Sequence, residues 1–74
     1  MIIYYLTSHA AQRLKHRSIK KAEIEEVLDD PDYSYPGKQG EMNLVKELSK
    51  GRKLRVVIKP EKSRTKIITA IIVN

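Results

Sequence analysis

His9, Arg13, His16, Arg17, Lys46 and Arg55 are the residues of this 74-residue chain whose types suit chemistry. There is no cysteine and no glycine-flanked serine elbow, so neither a thiolate nor an activated serine is available as nucleophile. The three glycines are scattered and build no phosphate-cradling loop. The sequence offers little for a metal: the carboxylates gather at Glu23, Glu25, Glu26 and Asp29 to Asp32, away from both histidines. His9 and His16 are about 10 Å apart along a helix, too far to share one ion without a third ligand between them.

What remains is a metal-free, cofactor-free set of bases and cations, with tyrosine and threonine hydroxyls nearby. Such a set suits RNA, which carries its own nucleophile in the 2′-OH. Cleavage needs a base for that proton, cations for the charged phosphorane, and an acid for the departing 5′-oxygen. Histidine titrates near neutrality and fits base or acid. Arginine's planar fork holds two phosphate oxygens at once. Plainer alternatives stand beside these readings. A helix histidine can simply cap or pack locally, and strand cations can simply keep a sheet face solvated.

The elements that position these residues follow from periodicity. Lys53 to Lys59 alternates strictly, with Leu54, Val56 and Ile58 on one face and Lys53, Arg55 and Lys59 on the other. This is a strand that covers a core and displays cations. Ile2 to Leu6 is apolar on both faces and reads as a strand buried in the sheet. Thr7 or Ser8 caps a helix over about 8–17, which carries His9, Arg13 and His16 on one side and Ala10, Ala11 and Leu14 on another. A second helix covers about 20–29, with Ile24, Val27 and Leu28 as its apolar stripe. Ile19 and Ile24 form a hydrophobic staple around Lys20, a poor N-cap residue, with Glu23 at the third helical position.

Pro31 ends that helix. Tyr33 to Tyr35 reads as a short edge strand and 41–48 as a longer one, with Met42, Leu44 and Leu48 on the face that carries Lys46. Lys50-Gly51 makes a hairpin turn into the strand over 52–59. The β-branched stretch over 64–73 belongs in the middle of the sheet. The expected fold class is α+β: an N-terminal strand and two consecutive helices packed on one face of a curled antiparallel sheet.

Length allows one domain over 1–74. Fifteen Lys plus Arg against nine Asp plus Glu give a net charge of +6, which favours nucleic acid or an acidic protein as partner. No stretch has the length and apolarity of a membrane span, no signal peptide is read at the N-terminus, and the lack of cysteine fits a cytoplasmic setting.

The order of residues adds a resemblance. Ser8-His9-Ala10-Ala11-Gln12-Arg13-Leu14 through Arg17-Ser18-Ile19, then Glu25-Glu26-Val27-Leu28 and Asp30-Pro31, resemble the opening of domain-of-unknown-function family 4258. Arg52 to Val57 and Ile68-Thr69-Ala70 resemble its closing strands. That family is thought to be similar to the RelE and BrnT group of small ribonuclease toxins. The resemblance implies a RelE-like fold and metal-independent RNA cleavage. It also implies RNA, including ribosome-associated mRNA, as substrate, and a cognate acidic antitoxin as partner. It implies His9, Lys46, Arg55 and Thr69 as catalytic residues, with Arg13 and Arg17 on the substrate; the strand cations Lys53 and Lys59 join the substrate-binding set. The competing expectations are a non-catalytic RNA- or protein-binding module of the same fold, and a domain whose basic face meets an acidic protein.

Overall fold

The structure, a computed structural model, describes residues 3–49 and 51–73. Ile2 and Lys50, which the sequence pattern places in the first strand and in a tight turn, lie outside the described residues. The element order is β1 (Tyr4–Leu6), α1 (Ser8–His16), α2 (Lys21–Asp29), β2 (Tyr33–Pro36), β3 (Met42–Ser49), β4 (Arg52–Pro60) and β5 (Thr65–Ile72). All five strands join one sheet in the order β1-β5-β4-β3-β2.

Thr7 starts α1 as its N-cap, its side-chain oxygen accepting from the Ala10 N–H at 3.0 Å. Beyond the C-cap Arg17, Ser18 has φ 54°. There the Ile19 N–H donates to the Leu14 carbonyl at 3.0 Å and the Ser18 N–H to the Lys15 carbonyl at 3.4 Å. This is the paired closure of a Schellman motif, with serine in the left-handed position that glycine fills most easily. The chain then enters α2 through Lys20, whose N–H donates to Glu23 Oε1 at 2.9 Å, so the lysine backbone is capped although its side chain cannot cap. Arg52 braces the same corner, with its Nε 3.2 Å from Glu23 Oε2 and its guanidinium donating to the Ser18 carbonyl at 3.2 Å.

Leu54, Val56 and Ile58 of β4 share one core with Ala10 and Leu14 of α1, Ile24, Val27 and Leu28 of α2, and Leu44, Ile67 and Ala70 of the sheet. Both helices therefore lie on the same face. Ile19 joins this core beside Ile24, as a staple requires.

The expectation of an antiparallel sheet is overturned. β2, β3, β4 and β5 pair antiparallel, but β1 pairs parallel with β5, so the sheet is mixed. The two helices carry the chain across the whole sheet, from β1 at one edge to β2 at the other. Three reversals from β2 then give β5 the direction opposite to β2, which is the direction of β1. β1 is also an edge strand rather than a buried one, and its residues are half-buried. It covers β5 only over Thr65–Ile67. Further along that edge, the Arg17 guanidinium donates to the Ala70 carbonyl at 2.8 Å.

Candidate functional site

Register decides which side chains share a face. In antiparallel pairs, directly opposed residues point the same way. Met42, Leu44 and Lys46 oppose Ile58, Val56 and Leu54 on the helix-covered face. Asn43, Val45 and Glu47 oppose Val57, Arg55 and Lys53 on the other. Extending the pairing to β2 and β5 gives two rows across the uncovered face. One runs Tyr33, Val45, Arg55, Ile71, and the other Tyr35, Asn43, Val57, Thr69. Beyond them Lys59 opposes Lys66, which is itself in register with Tyr5 of β1. The register shifts between Val57 and Ile58, so that Ile68 is the extra residue of a bulge on β5.

At this end of the face lies a cleft of 440 Å³ lined by Thr7, His9, Gln39, Glu41, Val57, Lys59, Lys66 and Ile68. The bulge at Ile68 and the start of α1 form one wall, and the loop between β2 and β3 the other. His9 is exposed here, one residue into α1. Glu41 Oε1 accepts from the Gln39 N–H at 2.7 Å. Hydrogen bonds from the Glu41 and Gln39 backbone hold this carboxyl below the usual carboxylate range, with Lys59 adding to the effect. The Glu41 carboxyl lies against Gly37, in space that a Cβ at that position would occupy. An imidazole, two ammonium groups and an ionised carboxylate thus share one cleft. Such a set can carry protons and hold an anion.

The expected site residues divide. His9 and Lys59 meet in the cleft. Thr69 opposes Val57 of the cleft wall and lies on the same face. Arg55 shares that face but is four residues from Lys59 along β4, about 13 Å. Lys53 lies two residues further still, across from Glu47. Arg13 is exposed on α1, outside the cleft, and Arg17 is engaged with the Ala70 carbonyl.

Lys46 does not converge with the others. It sits on the helix-covered face, with its Nζ 3.6 Å from Asp30 Oδ2 and 3.6 Å from Asp32 Oδ1. Asp32 is in turn fixed, its Oδ2 accepting from the Glu47 N–H at 2.9 Å. The acidic residues that follow α2, unfavourable for the helix dipole, therefore have a partner in Lys46. Periodicity assigns Lys66 and Glu41 no role, because each lies in a stretch that reads as plain strand, 64–73 and 41–48. The signal was one cation inside an otherwise β-branched strand, and its meaning depended on the register with Lys59.

No three of the described His, Asp and Glu side chains come together as a metal-ligand set, and no described helix is long and apolar enough to cross a membrane. No curated protein and no solved structure matches the chain. A family model does match, over residues 6–72, which runs from the last residue of β1 through both helices and every later strand. The chain belongs to the DUF4258 family, whose description is a domain of unknown function.

Proposed function

We propose that this chain is a metal-independent endoribonuclease that works at the cleft beside His9. The observation that carries the reading is an exposed imidazole lining one cleft with Lys59 and Lys66. A phosphodiester of RNA would place its phosphate between the two ammonium groups, which offset the charge of the phosphorane. The Glu41 carboxylate, which lines the same cleft, takes the proton from the 2′-OH, and the freed oxygen attacks phosphorus. The bond from phosphorus to the 5′-oxygen breaks, and protonated His9 supplies the proton for that leaving oxygen. The products are a 2′,3′-cyclic phosphate and a 5′-hydroxyl. Thr69 and Arg55 lie along the path of the strand rather than at the reacting bond. The likeness to RelE and BrnT toxins, a cytoplasmic setting, and an acidic antitoxin that covers the basic face all belong to this proposal. The net charge of +6 supports such a partner.

A synthetic RNA with one 2′-deoxy residue at the cut site tests the reaction. Wild type should cleave the ribose substrate in the presence of EDTA and leave the deoxy substrate intact. Cleavage of the deoxy substrate at the normal rate rules out attack by the 2′-OH. A non-catalytic RNA-binding module is the second reading, and the separation of Lys46 from Arg55 favours it. Binding without cleavage of any RNA, ribosomes included, would establish that second reading.

A further inference from the structure

Of the four tyrosines, two are engaged at the β1 edge. Tyr4 donates to Glu25 Oε2 at 2.7 Å, and Tyr5 donates to Glu61 while the Arg64 guanidinium covers its ring at 4.0 Å. Tyr33 and Tyr35 differ. They alternate on β2 and point to the face that carries no helix, 53% and 40% exposed, with ring centroids 6.4 Å apart and planes inclined by 21°. Arg55 donates to the Tyr35 hydroxyl at 3.4 Å. Its Nε is buried with no hydrogen-bond partner among the described residues, so the guanidinium is held against the sheet. Val45, although on this face, is only 2% exposed, because Tyr33 and Arg55 flank it in the same row. The result is an exposed aromatic pair bordered by a cation.

Tyr35 also shares its row with Val57 of the cleft wall, with Asn43 between them. Two strand spacings, about 10 Å, separate them, and Lys59 lies two residues further along β4, about 7 Å, a gap that a few nucleotides of an extended single strand span. From this the geometry points to Tyr33 and Tyr35 as a base-stacking platform for single-stranded RNA, receiving bases a few nucleotides along the same strand from the phosphate held in the cleft. The inference rests on the RNA reading of that cleft and names the form of RNA it takes. Charge selects the occupant: the platform adjoins Arg55, and Lys59 and Lys66 lie beyond it on the same face, so a polyanion with flat bases complements it better than an apolar peptide. A duplex keeps its bases stacked on one another and out of reach of the rings.

The test is fluorescence anisotropy with labelled 2′-O-methyl oligoribonucleotides, which bind but cannot be cut through the 2′-oxygen. One probe carries bases, one of equal length has abasic residues, and one is a duplex. Wild type should bind the base-bearing strand about tenfold or more tightly than the abasic one. Tyr33→Ala combined with Tyr35→Ala should erase that advantage and leave abasic binding unchanged, whereas the two Phe variants should keep it. The chain has no tryptophan, so quenching of its tyrosine emission by the base-bearing probe alone is a second readout that needs no variant. Full base-dependent affinity in the double Ala variant, absence of quenching in the wild type, or equal affinity for the duplex would overturn the platform while leaving the cleft reading intact. Failure of the wild type to bind any probe would overturn both and leave the aromatic patch as a surface for protein.

Discussion

Lys46 and Arg55 stand on opposite faces of the same two strands: Lys46 lies across from Leu54, and Arg55 across from Val45. No motion short of unpairing β3 from β4 brings both cations to one phosphate. Their roles separate accordingly, Lys46 tying the end of α2 and the start of β2 to the sheet.

Lys46→Ala is therefore expected to act on stability rather than on RNA. Its side chain is 17% exposed and serves two carboxylates, but Asp30 is almost fully solvated, so the loss should be about 1 kcal/mol. Urea melts measure it. RNA affinity should stay within about twofold of wild type, and a large loss of affinity in a well-folded variant would return Lys46 to the binding surface.

Lys59→Ala and Lys66→Ala should behave in the opposite way. Each removes one ammonium group from the cleft, so each should lower the slope of log K against log salt by about 0.7 for single-stranded RNA. Titrations at several salt concentrations give the slopes. Unchanged slopes for both variants would mean that phosphate does not sit between them.

Leu54 and Val56 are fully buried between the sheet and the two helices. Leu54→Ala should cost about 2–5 kcal/mol, a large share of the stability of a domain this small. Lys53→Ala, on the uncovered face, should cost far less. Thermal melts that rank Lys53→Ala below Leu54→Ala would mean that β4 is facing the wrong way.

Ser18→Gly should stabilise the fold by about 0.5–1 kcal/mol. A side chain at φ 54° is strained, and glycine adopts that region without penalty. The gain is partly offset by the greater freedom of glycine in the unfolded chain. A variant that melts at lower temperature than wild type would show that the serine side chain contributes more than its backbone strain costs.

Asp32 governs part of the acid limb. The backbone N–H of Glu47 chiefly, and the charge of Lys46 less, hold its carboxyl below the usual carboxylate range. Ionised Asp32 thus favours the native state. That contribution is complete above the unfolded value of about 4 and is lost as pH falls through the lower native value. Melting temperature against pH should accordingly fall less steeply below about pH 4 in Asp32→Asn than in wild type. Superimposable profiles would assign the acid sensitivity to other carboxylates.

Strict alternation in Lys53 to Lys59 was enough to determine that β4 buries Leu54, Val56 and Ile58, because a strand has only two faces and water selects between them. The same parity put Lys46 on the face of Met42, Leu44 and Leu48. Once β3 and β4 are paired with their apolar faces together, that parity already separates Lys46 from Arg55. The helices were equally legible from Thr7, Pro31 and two apolar stripes. Three things depended on the tertiary structure. The parallel pairing of β1 with β5 is invisible to periodicity, which records which residues alternate and not which neighbour a strand meets. The bulge at Ile68 and the register that sets Lys66 across from Lys59 arise only when the strands pair. The cleft around His9 depends on both, since its lining comes from β4, β5, the start of α1 and the loop before β3. Local pattern fixes the direction of each side chain within its own element, whereas convergence of distant side chains is a property of the packed chain.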